Sequence, residues 1–593
     1  MILGVLAISV GCGSDSTPDG QGTETGGPAT VMSTTSTTAT SETTAADETS
    51  APSDSSGPPL IADVWSLDMG VPEPPSLVAT PPGGTFVGTV EVALDVPDRN
   101  AEIWYTLDGS SPLVGDSIEY TGPIKISEST GLRAVAQLDD DVQLAIAPSF
   151  IRIEPELDGF SSELPLMIMW TRDLAPVKKS DLYTDFTLSL FDRAAGGVTT
   201  WPADASLSVR SGLRVRGSSS SSFPKKPYRI ETWDPASPLD SDMDVEPLGL
   251  PPEADWILIA PLIFDRAFMR NALIYNLSNQ IDRYASRTRF VELFVAEVGE
   301  PVGMDDHVGI YVLAERIERD VSRLPLTALE PEDVAKPAVT GAYIFKEDRT
   351  GPRENGFQAG QAGGAFDFQQ PFVLVDPDED EIQPQQLTYL QDLLDEFGDA
   401  LASPGFTHPV TGRHYSEIID VDAFIDHHIL NVYSKNPDSF RLSGFFHKDR
   451  DGLIHAGPAW DFDRTMGCAS DPRASDPTWW DASNETNDCT FVFEHGFWLG
   501  LFSDPLFADQ YWNRWAELLA SDLSVASVHA TVDAMEAELS ESAPRNYARW
   551  PGYPPRGGSL ASEVDILKDW LAERHAWMSG CLALPDPQSC VGD

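Results

Sequence analysis

The sequence predicts an α+β protein built as a disordered tether, a small immunoglobulin-like β-sandwich and a larger domain in which strand patterns come first and helical patterns last. Three observations lead there. Residues 13–58 are Ser, Thr, Gly, Pro and acidic side chains, typified by STTSTTATSETTAADETS, and carry too few large apolar groups to bury a core. From residue 74 to 154 short alternating runs are separated by turn clusters, the spacing of a sandwich. Beyond Pro155 alternating runs give way to apolar residues at three- and four-residue spacing, the mark of helices. The expected divisions are 1–12, 13–73, 74–154 and 155–593.

Taken in order, MILGVLAISVGC is a short apolar run ending in small residues and Cys12, the pattern of a bacterial lipoprotein signal, with Ser9 where such signals usually have Leu. Twelve residues are too few to span a bilayer, so the expectation is an extracytoplasmic protein of the cell envelope, or a secreted one, that meets a membrane only through a lipid at Cys12. The 39 Lys and Arg against 93 Asp and Glu give a net charge of −54, a field that repels nucleic acid, which is therefore not an expected partner. Cys468, Cys489, Cys581 and Cys590 remain for disulfides in an oxidising compartment. Three pairings are open; Cys468–Cys489 and Cys581–Cys590 are favoured because each closes a short loop.

The sandwich strands are read from FVGTVEVALDV, AEIWYTLDGSSP, EYTGPIKI, TGLRAVAQL and IAPSFIRIE. Trp104 and Tyr105 sit at alternate strand positions, where core packing is the expected role. Further on, SELPLMIMW, FTLSLFDR, GLRVRG, KPYRIETW and ADWILIAPL read as strands, and DRAFMRNALIYNLSNQI as a helix with an acidic first turn and apolar residues at helical spacing. TRFVELFVAEV and HVGIYVLAERI read as a hairpin leading out of a first lobe. Residues 321–385 are rich in Pro, Gly and acid and are expected to be loop or a substrate-facing insertion; DPDEDE within them lacks the spacing and glycine of a calcium loop. Helices follow in QLTYLQDLLDEFGDALA and VDAFIDHHILNVYSKN, then in three amphipathic stretches between Phe502 and Leu584. Neighbouring His427 and His428 point different ways on a helix, so packing is expected of both.

Two stretches carry chemistry. NPDSFRLSGFFHKDRDGLIHAGPAWDFDRT reads as strand, turn and return strand, which would bring Asp438 near Asp461 and Asp463. Converging carboxylates can hold Mg²⁺ while another accepts a proton from an attacking hydroxyl. Upstream, RGSSSSSF offers backbone N–H groups and hydroxyls that can donate to phosphate, and Lys225 and Lys226 follow with a cation.

The run IWYTLDGSSP with YTGPI and LRAVA resembles the chitobiase C-terminal-like domain, which implies a spacer module. The succession RVRGSSSSSFPKKPYRIE, DWILIAPLIFDRAFMRNALIYNL, RFVELFV, GIYVLAERIERD, GAYIFKED, NPDSFRLSGFFHKDRDG and HAGPAWDFDRT resembles the CotH kinase family of spore-coat proteins, from about Ser161 to Arg574. The resemblance implies an atypical bilobal protein-kinase-like fold that binds ATP and Mg²⁺, or Mn²⁺, and transfers phosphate to Ser or Thr of a protein substrate. Carried over by motif, Lys226 is the phosphate-contacting lysine, with Lys225 as the alternative. Arg216, Ser218 and Ser219 lie beside it on the loop. Asp438 is the catalytic aspartate, Asp461 a catalytic metal ligand 23 residues later, and Asp463 its helper. Arg214 is as readily structural. Arg270 and Asn271 brace their helix against the site.

The chain also departs from ordinary kinases: its loop has one glycine rather than G-x-G-x-x-G, WDFD stands for DFG, HRD is missing, and the helix DRAFMRNALIYNLSNQ has no Glu. Glu315, or Glu292, is left as the lysine's acidic partner. The competing reading is a non-catalytic cell-surface binding or adhesion protein, a pseudokinase; a carbohydrate hydrolase leaves the lysine loop without a role.

Overall fold

The computed structural model describes residues 76–590, apart from residues 98, 139–142, 172–181, 235–240, 298–299, 352–353, 379 and 481–491. The signal-like segment, the tether and Cys489 lie outside the described residues, and so does the Cys468–Cys489 pairing. Cys468 is a buried free thiol among the described residues, and Cys581 and Cys590 are bridged.

The sandwich forms from short strands in three small sheets, the largest running through residues 118–119, 101–106, 133–138 and 143–146. Its core is filled by Val92, Ile103, Ile124, Leu132, Ala136 and Phe150. Trp104 is buried and Tyr105 packs against that core, as alternation along the strand dictates.

Seven strands then close into a barrel: β1 (Leu166–Thr171), β2 (Thr184–Phe191), β3 (Leu207–Val215), β4 (Tyr228–Trp233), β5 (Asp255–Ile259), β6 (Thr288–Glu297) and β7 (His307–Glu315). Their order around the wall is β1-β2-β3-β4-β5-β7-β6, all antiparallel except β1 against β6, which is parallel with Leu166 opposite Glu292. Alternate residues such as Met169, Leu188, Leu213, Trp256 and Leu293 fill the interior. The β6–β7 hairpin forms as expected, with Val291 opposite Tyr311. It does not lead out of the lobe, however: β7 also pairs with β5, so the hairpin is part of the wall. The sequence shows no edge here because closure removes it.

Helix α1 (Arg270–Gln280) buries eight of its eleven residues, consistent with a position between the barrel and the second half of the chain. That half is a four-stranded sheet of β8 (Tyr343–Glu347), β9 (Phe372–Asp376), β10 (Gly444–Lys448) and β11 (Ile454–Ala456), in the order β9-β8-β10-β11. The stretch 321–385, expected to be loop, thus contributes two strands; YIFKE and FVLVD are short apolar runs inside a polar, Pro-rich surrounding that masked them. Around the sheet pack α2 (Pro384–Ala402), α3 (Val421–Ser434), α4 (Phe497–Phe502), α5 (Pro505–Ala520), α6 (Val525–Leu539), α7 (Ala543–Arg549) and α8 (Leu560–Leu582). Tyr511, Trp515, Trp570 and Phe497 are buried in one large core with α1, as expected of these aromatic residues. No helix among the described residues is long and apolar enough to cross a membrane.

Helix α7 reaches back to the barrel. Arg545 donates through Nε to Glu292 Oε1 and through Nη2 to Oε2, both at 2.7 Å, and His307 Nε2 lies 2.7 Å from the same carboxylate. Burial alone would raise the Glu292 carboxyl; the hydrogen bonds from Arg545 and His307 overcome it and hold it at about 2. Against an unfolded value of about 4.3, the pair contributes about 3 kcal/mol that is fully present above pH 4.3 and is lost as pH falls towards 2. The stability gap between wild type and Glu292→Gln, measured by urea unfolding, is therefore expected to narrow by about 3 kcal/mol from pH 5 to pH 2.

Candidate functional site

Helix α3 starts on an Asp420 cap and ends where Lys435 takes a left-handed conformation, φ 51°, which turns the chain into the segment carrying Asp438. The Asp438 N–H donates to Asn436 Oδ1 at 3.0 Å, and its Oδ1 accepts from Arg441 Nη2 at 2.8 Å and Arg473 Nη1 at 3.3 Å. Two guanidinium groups thus orient this carboxylate. The hairpin β10–β11, with Phe446 opposite Ala456, then returns the chain through Gly457 to Trp460 and Asp461.

Asp461 is also left-handed, φ 67°, and α1 holds it so. Its N–H donates to Tyr275 Oη at 3.2 Å, and the next N–H, of Phe462, donates to Asn271 Oδ1 at 2.7 Å. Arg270 donates to the carbonyls of Thr465 at 3.0 Å and Met466 at 3.2 Å, while its Nη1 meets Asp265 at 2.8 Å; both ionic side chains are fully buried. The bracing expected of Arg270 and Asn271 is therefore directed at the aspartate loop. Trp460 stacks on Tyr275 at 5.5 Å, and the Arg216 guanidinium stands over its ring at 5.2 Å.

Asp461 is exposed to solvent. Desolvation by the surrounding protein raises its carboxyl, the Asp438 carboxylate raises it further, and Arg216 opposes both. Asp463 is pushed well up by burial and by Asp461, against the pull of Arg464. Asp348, at the end of β8, adds to the negative field on Asp461, and Ser443 Oγ lies 3.4 Å from Asp461 Oδ2. Carboxylates that repel one another are short of positive charge, and an all-oxygen donor set of this kind suits a hard divalent cation such as Mg²⁺ or Mn²⁺. Asp461 and Asp463 would hold it.

A tighter acidic group, Glu253, Asp255 and Glu318, has oxygens within 4.8 Å of one another. Its charge is already met: Asp255 binds Arg229 and Arg316, and Glu318 binds Arg316 and Arg323. It is an ion-pair network.

Of the residues expected at the site, Asp438, Asp461 and Asp463 lie near enough for their charges to act on one another, and Arg216 acts on Asp461, although the three carboxylates are not gathered within 4.8 Å. Ser218 and Ser219 are exposed on a loop that folds on itself, with Ser221 Oγ donating to Ser218 O and Ser222 Oγ to Ser219 O. Lys226 Nζ donates to Ser221 O at 2.9 Å and closes that loop. Lys225 points elsewhere: it is 1% exposed, and its Nζ donates to Asn546 Oδ1 at 3.0 Å and to the carbonyls of Pro261 and Ile310. Both lysines precede the strand, which begins at Tyr228, and the bend at Lys225 turns the two side chains to different partners. Glu315 does not meet a lysine either; its buried carboxylate accepts from Arg287 Nε at 2.9 Å and Tyr284 Oη at 3.2 Å. Glu292, the other candidate, is held by Arg545 and His307.

Sequence reasoning missed Tyr275, Asp348, Arg473 and Ser443. Ser443 had a signal, standing five residues after Asp438, where ordinary kinase catalytic loops carry a metal-binding Asn. Also missed was a cavity of about 160 Å³ bounded by Tyr284, Leu324, His427, His447, His455 and the Gly457–Ala459 segment that leads into Trp460 and Asp461.

The family model described as CotH kinase protein matches residues 213–578, and that of the chitobiase/beta-hexosaminidase C-terminal domain matches residues 81–144. No curated protein matches the chain. The first match covers more than half the sequence and takes in Arg216, the serine loop, α1 and all three aspartates: the chain belongs to the CotH kinase protein family.

Proposed function

We propose that this protein is an atypical bilobal protein kinase that transfers the γ-phosphoryl group of ATP to Ser or Thr of an exported protein. The observation that carries the reading is the convergence of Asp438, Asp461 and Asp463 opposite Arg216. Asp461 and Asp463 hold a divalent cation, which when bound neutralises charge on the phosphates. Arg216, the open face of the Ser218–Ser222 loop and Lys226 hold the phosphate oxygens. Asp438, oriented by Arg441 and Arg473, accepts the hydrogen bond of the acceptor hydroxyl and takes its proton. The nucleotide base occupies the cavity behind Gly457–Ala459, since it is a partly open recess lined by Tyr284, three histidines and Leu324 and its wall runs directly into Asp461. A lipid at Cys12, or secretion, places the enzyme outside the cytoplasm.

One observation favours a second reading. With Lys225 buried against Asn546 and Glu315 bound to Arg287, the lysine–glutamate pair of ordinary kinases is not formed by these residues, which suits a binding-only pseudokinase. Phosphate transfer from γ-labelled ATP separates the two: label on protein that disappears in Asp438→Asn supports the kinase, and nucleotide binding without transfer supports the pseudokinase.

A further inference from the structure

His427 is 6% exposed, lines the cavity and has a buried Nδ1 with no hydrogen-bond partner. A buried polar nitrogen left unpaired is costly, so it calls for an explanation. A methyl group built on Gly457, on the cavity wall, would stand 3.8 Å from that Nδ1, which places the atom at the recess. Its neighbour His428 differs: Nδ1 lies 2.9 Å from Tyr511 Oη and Nε2 2.6 Å from Val492 O, a satisfied packing residue as the sequence led one to expect.

The hydrogen-bond network assigns the proton on His427. Asn436 Nδ2 donates to Asn431 Oδ1 at 3.1 Å, so the amide nitrogen of Asn431 is the end that faces His427 Nε2, at 3.3 Å. Nε2 is then the acceptor and Nδ1 carries the hydrogen. Burial keeps the ring uncharged by pushing its pKa down to about 4. His427 thus brings a buried N–H donor to the cavity wall, beside Arg283, Tyr284, His447 and His455. The same relay continues to the catalytic segment, because Asn436 Oδ1 accepts the Asp438 N–H at 3.0 Å and Asn436 Nδ2 also reaches Asp461 O at 3.4 Å.

We propose that His427 is the specificity-determining residue for the nucleotide base, its Nδ1–H donating to a ring nitrogen of a purine seated in the cavity, with Asn431 fixing the tautomer. The inference rests on the base occupying this cavity. A ligand acceptor would satisfy this buried, unpartnered donor, and a site built around a buried donor rejects analogues that lack the matching acceptor. Through Asn431 and Asn436 the contact also ties occupancy of the cavity to the position of Asp438.

The test is calorimetric titration of the full chain with Mg²⁺ and ATP, and with ATP analogues in which N1, N3 or N7 is replaced in turn by C–H. One analogue is expected to bind about tenfold more weakly than ATP. His427→Leu is expected to lose about the same factor for ATP and to bind that analogue and ATP alike, a loss of discrimination that mere loosening of the fold does not produce. If ATP binds but all three analogues match it in the wild type, or His427→Leu keeps both affinity and discrimination, the assignment of His427 is overturned while the nucleotide reading survives. If ATP does not bind at all, the nucleotide reading is overturned and the assignment with it. The wild-type analogue series decides the matter even where the variant does not fold.

Discussion

Asp461→Asn is expected to lower divalent-cation affinity by at least about 100-fold and to stop phosphate transfer, while leaving the protein as stable as the wild type or more so. Both halves follow from one geometry. Asp461 carries the field of Asp438, Asp463 and Asp348 and is opposed chiefly by Arg216 and Arg464. Removing its charge removes the repulsion that costs the apo fold stability, and removes with it the negative charge a cation requires. Thermal melts without metal, beside Mg²⁺ or Mn²⁺ titrations followed by calorimetry, read the two effects separately. A variant that melts lower and binds the cation unchanged would place the function of Asp461 in the fold.

Arg270→Met carries the largest expected cost in stability, about 3–5 kcal/mol, because it leaves Asp265 ionised without its partner in a site from which water is excluded. Asp265 accepts both the Arg270 backbone N–H and its guanidinium, each at 2.8 Å, and the same guanidinium ties down the carbonyls of Thr465 and Met466. The double variant Arg270→Met with Asp265→Leu is expected to recover much of the loss, since replacing a whole buried pair by apolar groups costs far less than breaking it. Urea unfolding of the two single variants and the double one measures this coupling. It also dissects function from fold: the double variant regains stability but not the hold on the Thr465–Met466 turn, so its transfer rate stays low.

What could be read from the sequence followed the length of its patterns. The aspartate hairpin was legible because DRDG is a strong turn between two apolar runs, and a hairpin leaves the chain little choice about where Asp438 and Asp461 end. The C-terminal helices were legible for the same reason, three- and four-residue spacing sustained over many residues. Barrel closure was not, since the parallel pairing of β1 with β6 joins segments more than 100 residues apart and leaves no local mark. Lys225 was misplaced because a dilysine just before a strand reads as one basic patch, while the bend there sends one ammonium to the loop and buries the other against α7. His427 could not be told from His428 in sequence; only the Asn431 and Asn436 amides, which set its tautomer, and the glycine opposite distinguish a bare donor from a packed ring.

The most direct test of the central claim is incubation of the purified chain with γ-labelled ATP, Mg²⁺ or Mn²⁺ and a panel of exported proteins from the same cell, run beside Asp438→Asn. The account predicts acid-stable label on Ser or Thr, of the chain itself or of a partner, with the wild type and a loss on the order of 10³-fold with the variant. Label that is equal in both, or absent from both under conditions where ATP binds, would contradict it.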